Sequence, residues 1–254
     1  MNLKLENISC IRNSRKVLDQ ISASFGGNRI TAVTGHNGSG KSTLLRIIAG
    51  LWKPDSGKVF YDQTEIRELT VPELARLRAI VLQNPHIPDN MTVYDLLSLG
   101  RFARRSSKKV NDAAICRALA DTACTELTHR RAGTLSGGEL RRVFLALALV
   151  QEPRLLLLDE LEANWDAEFR RNCPALLNHL RRERDLTIIM VTHDLDLALH
   201  CADDILGLQN GKVTLSTALN KPDAVEKLQK FTGENFDILT GQDGFLRAMP
   251  KFRV

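Results

Sequence analysis

A glycine-rich segment near the N-terminus constrains the fold of this sequence more than any other feature does. Residues 35–42 read GHNGSGKS and fit the pattern G-x-x-x-x-G-K-[ST]. The residues before it, 28–34 (NRITAVT), are typical of a strand, and residues 42–51 have the apolar spacing of a helix. A strand, a glycine-rich turn and a helix in this order predict an α/β fold that binds phosphate at the turn.

The residue types in this loop suit a chain of phosphate groups. Glycines leave room for backbone N–H groups to point inward, and the N-terminus of the following helix adds positive potential. Lys41 is predicted to reach the β- and γ-phosphates, and the Ser42 hydroxyl is predicted to complete the coordination of Mg²⁺. The candidate nucleotide-binding residues of the loop are Gly35, His36, Asn37, Gly38, Ser39, Gly40, Lys41, Ser42 and Thr43.

Four leucines followed by two acids, at 155–160 (LLLLDE), predict a second part of the site. A continuous apolar run of this length is typical of a strand buried on both faces of a parallel sheet. Because ligands bind outside the carboxyl ends of such strands, Asp159 is expected to hold Mg²⁺. Glu160 is predicted to orient or deprotonate the water that attacks the γ-phosphate.

A further glycine pair marks the start of another helix. Residues 135–139 read LSGGE and precede a helical pattern at 140–150, which places Ser136 as the predicted N-cap. The glycines expose backbone N–H groups at this helix end, so it can also bind phosphate. The candidate residues of this segment are Leu135, Ser136, Gly137, Gly138 and Glu139.

The remaining segments complete an alternating α/β order. Residues 4–25 predict short antiparallel strands, and residues 79–83 and 187–192 predict further strands. A helical stripe from Phe169 to Leu180 contains Pro174, which is expected to end or kink an early turn. After residue 221, a short helix over 223–231 and a hairpin around QDG (242–244) are predicted.

With these segments in place, the sequence resembles the ATP-binding cassette family, whose signature motif is LSGGQ-like. The resemblance covers about residues 1–215, and its motifs follow the family's order. They are the phosphate loop at 35–43, the glutamine-loop candidate Gln83, the signature at 135–139, the acidic strand at 155–160, the D-loop aspartate Asp166, and His193 in VTHDL.

The resemblance implies a particular architecture. It is a P-loop NTPase (RecA-like) α/β core with an N-terminal antiparallel β subdomain and an inserted α-helical subdomain at about 87–151. The ATPase domain is then expected over 1–220, and a C-terminal tail over 221–254.

The resemblance also implies a mechanism in which two cassettes meet head to tail. Each ATP, with Mg²⁺, would lie between the phosphate loop of one cassette and the signature of the other, so Ser136 and its neighbours would act in trans. Gln83 is expected to touch the metal ion or the attacking water, and His193 the γ-phosphate. The implied catalytic residues are Glu160, His193 and Lys41, and the implied magnesium ligands are Ser42, Gln83 and Asp159.

Three departures from the family pattern are visible. Leu161 and Glu162 stand where Pro-Thr is usual, and Trp165 stands where an aliphatic residue is common. Arg12 stands where an aromatic residue usually stacks on adenine, with no aromatic residue nearby, and a guanidinium can also stack on a base. Arg141 occupies a position where Gln is frequent. None of these departures removes a candidate catalytic residue, so an active ATPase is predicted.

Composition excludes several classes of protein. The 254 residues are 43% hydrophobic and 26% charged, and no apolar run approaches the roughly 18 residues that a membrane-spanning helix needs. The net charge of +5 is small, and the basic patch at 101–109 has one aromatic residue, so no nucleic-acid partner is expected. Five scattered cysteines predict reduced thiols, and the absence of a secretory signal predicts a cytoplasmic chain.

The leading functional hypothesis is the ATPase subunit of a membrane transporter, peripheral on the inner face of the cell membrane. Residues 92–106 resemble the equivalent stretch in importers of iron-siderophore, haem, cobalamin and zinc, which favours a metal-chelate importer. The expected partners are a second cassette, integral membrane permease subunits and a substrate-binding protein. The alternatives are a soluble cassette ATPase, such as an iron–sulfur assembly ATPase, and the ATPase subunit of an exporter.

Overall fold

Strands and helices alternate along most of the chain. The computed structural model describes residues 1–83, 90–160, 167–234, 236–240 and 246–250. The strands are β1 (Leu3–Arg12), β2 (Arg15–Phe25), β3 (Ile30–Thr34), β4 (Ser56–Tyr61), β5 (Thr64–Glu65), β6 (Arg78–Val81), β7 (Leu155–Asp159), β8 (Thr187–Val191), β9 (Asp204–Gln209), β10 (Lys212–Ala218), β11 (Phe236–Thr240) and β12 (Leu246–Pro250). The helices are α1 (Lys41–Ile48), α2 (Val71–Leu77), α3 (Val93–Leu99), α4 (Lys108–Asp121), α5 (Gly137–Val150), α6 (Ala167–Arg184), α7 (Leu195–Cys201) and α8 (Ala224–Thr232).

The N-terminal strands form an antiparallel sheet in the order β2-β1-β4-β5. Asn13 and Ser14 connect β1 to β2, and their φ values of 49° and 60° allow the chain to reverse within two residues. The prediction of antiparallel strands is confirmed. At 10 and 11 residues, however, β1 and β2 are longer than the short strands expected from the sequence, because bulges in their pairing interrupt the apolar alternation.

The central sheet has six strands in the order β10-β9-β3-β8-β7-β6. The five strands from β9 to β6 are parallel, and β10 is antiparallel to β9. Every residue of β3, β7 and β8 is buried, as the continuous apolar runs predict. The parallel arrangement places the ends of β3 and β7, which lead into the phosphate loop and the acidic pair, at the same edge of the sheet.

Two hydrophobic cores cover the two faces of this sheet. Leu156 and Leu158 of β7 belong to the core that includes α3, α4 and α5. Leu155 and Leu157 belong to the core formed with α1 and the antiparallel sheet. Successive side chains of a strand point to opposite faces, which explains why a run of four leucines is buried throughout.

The predicted helical insertion contains α3, α4 and α5, which pack together and on the first of these cores. Its expected start at residue 87 lies outside the described residues. Pro174 was expected to end or kink an early turn, and the first alternative is wrong, because α6 continues from Ala167 to Arg184 through that proline. A kink at Pro174 stays a prediction. Pro174 has no N–H to donate to the helix, and burial of Cys173, Leu177 and Leu180 on one side of α6 offsets the loss of that hydrogen bond.

The C-terminal part of the chain contains the predicted helix and the two strands of the predicted hairpin. The helix α8 packs on β10, and β11 pairs with β12 in antiparallel fashion. The QDG turn at 242–244 lies outside the described residues. The division of the chain at residue 220 stays a prediction.

Candidate functional site

The phosphate loop connects β3 directly to α1, and two of its glycines have no room for a side chain. Gly35 has a φ of 147°, and a Cβ there would lie 2.2 Å from the carbonyl oxygen of Leu208. Gly40 has a φ of 104°, and a Cβ there would lie 2.8 Å from the carbonyl oxygen of Val17. Because a left-handed backbone and a close neighbour coincide at both positions, the path of this loop requires glycine.

Lys41 lies inside the curve of the loop. Its Nζ donates hydrogen bonds to the carbonyl oxygens of Gly35 at 2.7 Å and His36 at 3.1 Å, and the residue is buried. An anionic phosphate oxygen would form a stronger, charge-assisted hydrogen bond with the same ammonium group. The geometry therefore fits the predicted contact with a phosphate chain.

The other loop residues differ in exposure. His36, Asn37 and Gly38 are exposed, whereas Thr43 is half-buried in the first turn of α1. Ser39 is buried, and its Oγ has no hydrogen-bond partner among the described residues. The exposed part of the loop adjoins the start of α1, where the helix dipole favours an anion.

Ser42 and Asp159, each predicted to bind Mg²⁺, meet at the carboxyl edge of the sheet. The Ser42 hydroxyl donates to Oδ1 of Asp159 at 2.9 Å. Burial raises the pKa of Asp159, which is only 1% exposed, and the hydrogen bond from Ser42 opposes part of that rise. Oδ2 of Asp159 is buried without a hydrogen-bond partner in the described part of the chain. A hydroxyl and an unpartnered carboxylate oxygen side by side fit a hard cation such as Mg²⁺.

Glu160 is held by two hydrogen bonds. Nε2 of Gln83 donates to Oε2 of Glu160 at 2.7 Å, and the Glu160 N–H donates to the carbonyl of Val191 at 3.0 Å. The φ of Glu160 is 48°, which is uncommon for a residue with a side chain. The direct contact between Gln83 and Glu160 was not predicted from the sequence, because the two residues belong to motifs far apart in the chain.

A cleft of about 400 Å³ joins the phosphate loop to Glu160 and His193. The phosphate-loop side of the cleft is lined by Thr34, Gly35, His36 and Asn37. His193 is exposed and immediately precedes Asp194, the N-cap of α7, which accepts a hydrogen bond from the Leu197 N–H at 3.0 Å. Two predicted catalytic residues thus lie at one cleft with the predicted phosphate-binding loop.

The signature segment forms a complete capping box at the start of α5. Oγ of Ser136 accepts from the Glu139 N–H at 3.3 Å, and the Glu139 carboxylate accepts from the Ser136 N–H at 2.7 Å. Arg130 also donates to Glu139 at 2.8 Å, and these hydrogen bonds lower the pKa of Glu139. The predicted N-cap is confirmed, but α5 begins at Gly137, three residues earlier than the apolar periodicity indicates, because the glycines themselves form its first turn.

Arg12 contacts an aromatic ring, which corrects the expectation that no aromatic residue lies near it. Its guanidinium lies 5.0 Å from the centroid of the Trp52 ring, and that of Arg46 lies 4.9 Å from the same centroid. Asp55 joins the segment that contains Arg12 to the segment that contains Trp52, because its carboxylate accepts a hydrogen bond from the Ile11 N–H at 2.7 Å. Trp52 lies 40 positions after Arg12 in the sequence, so proximity along the chain could not reveal this contact. Stacking of Arg12 on adenine stays a prediction.

The positions that depart from the family pattern are described only in part. Leu161, Glu162, Trp165 and Asp166 lie outside the described residues. Arg141 is buried, its Nη1 has no hydrogen-bond partner among the described residues, and burial lowers its pKa.

Among the cleft residues that were not predicted from the sequence, three come from the C-terminal part of the chain. They are Phe231, Thr232 and Glu234, at the end of α8 and just beyond it. No local motif marks them, and the segment was predicted only as a helix. Their place at the cleft depends on how α8 packs, which a local pattern does not encode.

The chain matches a family model described as ABC transporter over residues 18–163. It is 36% identical over 236 residues to the hemin import ATP-binding protein of Escherichia coli O157:H7, covering 91% of this chain and 90% of that relative. It is 35% identical over 218 residues to the petrobactin import ATP-binding protein of Bacillus anthracis, covering 84% of this chain and 79% of that relative. It is 32% identical over 240 residues to the iron(3+)-hydroxamate import ATP-binding protein of Bacillus subtilis strain 168, covering 92% and 89%.

Solved structures are similar to the fold over most of its length. A dimeric bacterial ABC transporter cassette matches with a TM-score of 0.79 and 26% identity, covering 86% of this chain and 99% of that one. Part of an ABC transporter complex from Clostridium perfringens matches with a TM-score of 0.78 and 28% identity, covering 90% and 92%. These matches confirm the predicted P-loop α/β fold class. Within the described ranges, no helix combines the length and apolar character needed to span a bilayer.

Proposed function

The chain belongs to the ABC transporter family, and from this membership we propose that it is the ATP-hydrolysing subunit of an importer and that its activity requires Mg²⁺. The observation that carries the proposal is the contact between Ser42 and Asp159, 2.9 Å apart, with one carboxylate oxygen left unpartnered beside the phosphate loop. This arrangement suits a triphosphate that binds together with a metal ion.

In the proposed reaction, the residues of this chain have distinct tasks. Lys41 binds the β- and γ-phosphate oxygens and neutralises part of their charge. Ser42, Asp159 and Gln83 would hold Mg²⁺, which would supply positive charge to offset that of the phosphates. Gln83 occupies Oε2 of Glu160, which leaves Oε1 to accept a proton from the attacking water. His193 lies at the same cleft and would donate a hydrogen bond to the γ-phosphate.

We further propose that the working form contains two cassettes. A similar solved cassette is described as dimeric, and the signature residues of this chain are not among the residues that line its own cleft. The helix end at Ser136, Gly137 and Gly138 would therefore bind the ATP held by the second cassette. This placement gives two backbone N–H groups and a helix dipole to the γ-phosphate from the opposite side.

The proposed cargo is an iron chelate or haem. The relatives that support it are import ATP-binding proteins for hemin, petrobactin and iron(3+)-hydroxamate. The proposed partners are integral membrane permease subunits and a substrate-binding protein, which would hold this chain at the inner face of the cell membrane. The chain itself energises transport, and its partners select the cargo.

Purification of the tagged chain from native membranes tests this proposal. We expect multi-span membrane proteins to co-purify in detergent and to be identified by mass spectrometry. Recovery of the chain without any multi-span protein, or only with soluble assembly proteins, would contradict the transporter assignment.

Uptake measurements test the proposed cargo. Deletion of the gene should abolish uptake of labelled haem or of a ferric siderophore and leave sulfate uptake unchanged. Wild-type chain should restore the lost uptake, and Lys41→Ala should not, because it removes the phosphate-binding ammonium. Loss of sulfate uptake alone would overturn the cargo assignment.

A further inference from the structure

A wall of the catalytic cleft comes from the C-terminal segment, by which we mean α8, β11 and β12. Phe231, Thr232 and Glu234 line the same cleft as Glu160 and His193. The motifs of the sequence assign no task to these residues. The contacts that attach the C-terminal segment to the rest of the molecule indicate a task for it.

The end of α8 is fixed beside the strand that leads into the phosphate loop. The Phe231 ring lies so close to Gly207 that a Cβ at Gly207 would be 2.5 Å from it. Gly207 of β9 is the register partner of Thr34, the last residue of β3. The carbonyl of Phe231 also accepts a hydrogen bond from Nε2 of Gln209 at 3.1 Å. Glycine at 207 therefore allows α8 to pack directly on the edge of the site.

The hairpin is attached to the helix that follows His193. β12 packs on α7, and the Ala248 N–H donates to Oδ1 of Asp196 at 3.1 Å. Asp196 lies in the first turn of α7, three residues after His193. Gln229 of α8 donates to the Phe236 carbonyl of β11 at 2.5 Å, and Phe236 is buried. Helix and hairpin are thus joined to each other as well as to the site.

We propose that the C-terminal segment positions α7, and with it His193, for hydrolysis of ATP, with Asp196 and Phe231 as positioning residues. The proposal rests on the proposed ATPase function. Because α7 has only seven residues, a restraint on its first turn limits the movement of the whole helix. His193 is exposed, so its distance from the γ-phosphate depends on where α7 begins. The segment should therefore affect turnover more than the binding of ATP, which the phosphate loop supplies.

Substitution of Asp196 tests the attachment of the hairpin. In Asp196→Ala, we expect kcat for ATP to fall about tenfold, with KM and the Kd for MgATP changed by less than about twofold. Asp196→Asn keeps an oxygen acceptor for the Ala248 N–H and should restore most of kcat. Glu226→Ala removes an exposed acid on α8 and serves as the matched control, with wild-type kcat expected.

Two further measurements separate this inference from the proposed function. Amide hydrogen exchange in α7 should become faster in Asp196→Ala than in wild type or Asp196→Asn, whether or not ATP is hydrolysed. If wild type hydrolyses ATP no faster than Glu160→Gln, the proposed ATPase function fails, and exchange in α7 still tests the contact. Unchanged exchange in Asp196→Ala overturns the inference by itself.

Phe231 provides an independent variant if Asp196→Ala folds poorly. Phe231→Ala should lower kcat about as much as Asp196→Ala, and Phe231→Leu, which still fills the space over Gly207, should lower it less. Wild-type kcat in both Asp196→Ala and Phe231→Ala contradicts the inference. A rise in KM equal to the fall in kcat also contradicts it, because that result would place these residues in ATP binding.

Discussion

At the scale of single residues, Asp159 and Glu160 are neighbours with different environments. Asp159 is buried, its pKa is raised, and it accepts a hydrogen bond from Ser42. Glu160 lines the cleft and is held by Gln83. A buried carboxylate with an unpartnered oxygen suits a metal ion, whereas a carboxylate at the cleft suits a water molecule. Their separate environments agree with the separate tasks proposed for them.

Glu160→Gln should bind ATP with an affinity close to that of wild type and lose at least about a hundredfold of its turnover, because the amide cannot accept the proton of water. The variant should accumulate as an ATP-stabilised dimer, measured by size-exclusion chromatography with MgATP. Glu183→Gln, an exposed acid near the end of α6, is the control. Near-normal hydrolysis by Glu160→Gln would remove Glu160 from the proposed role.

Asp159→Asn tests the effect of burial on charge. Because the pKa of Asp159 is raised in the folded chain, its contribution to stability is complete below the ordinary value of 3.8 and is lost as pH rises through the raised pKa. At pH 7 the folded chain therefore carries an unfavourable buried charge. Asp159→Asn should raise the Tm of the metal-free protein. The rise should be about 2–4 °C for each kcal/mol of unfavourable free energy that loss of the buried charge removes.

The pH dependence of the difference in Tm between Asp159→Asn and wild type shows whether the buried charge is its cause. The gain in Tm from Asp159→Asn, followed by calorimetry in a chelator, should shrink as pH falls from 7 through the raised pKa towards 3.8. With ATP present, added Mg²⁺ should raise the Tm of wild type and not that of the variant. A gain in Tm that does not change with pH would mean that charge is not its cause.

At the scale of elements, the start of α5 combines a structural and a functional task. Ser136 and Glu139 form a capping box, so the signature residues also begin the helix. One chain thus presents two helix ends that are proposed to bind phosphate, at α1 and α5. Any substitution at Ser136 therefore has to be separated into its effect on stability and its effect on ATP.

Ser136→Ala should lower the free energy of unfolding by about 1 kcal/mol, because the Glu139 N–H loses its side-chain acceptor. Ser136→Thr, which keeps a hydroxyl, should stay within a few tenths of a kcal/mol of wild type. Urea unfolding followed by circular dichroism measures both values. Equal stability of the alanine and threonine variants would show that the capping hydrogen bond contributes nothing measurable.

At the scale of the whole molecule, each ATP site is proposed to combine the phosphate loop of one copy with the signature of another. Lys41→Ala and Ser136→Arg should each be inactive alone. In an equal mixture, half of the dimers are mixed, and each mixed dimer has one intact site of two. The mixture should therefore recover up to about a quarter of wild-type ATPase activity. A mixture as inactive as either parent, under conditions in which dimers form, contradicts the head-to-tail arrangement.

Much of the site could be predicted from the sequence because its parts are local. The turn at 35–40 favours glycine because its backbone has positive φ at Gly35, Gly38 and Gly40, and φ is restricted by sterics within and next to each residue. Residues 155–159 form a buried strand because of their own apolar character. The N-cap at Ser136 depends on a residue three positions away. The phosphate loop, the acidic pair and the signature are therefore evident from short stretches of sequence.

Other features were decided only by the tertiary structure. Ser42 contacts Asp159 across 117 positions, and Gln83 contacts Glu160 across 77. Both pairs depend on the order of strands in the central sheet, which no short stretch encodes. The stacking of Arg12 on Trp52 and the packing of Phe231 on Gly207 depend likewise on how distant segments fill space. Local sterics set the backbone of each motif, whereas long-range packing sets which side chains meet, and only the folded chain combines the two.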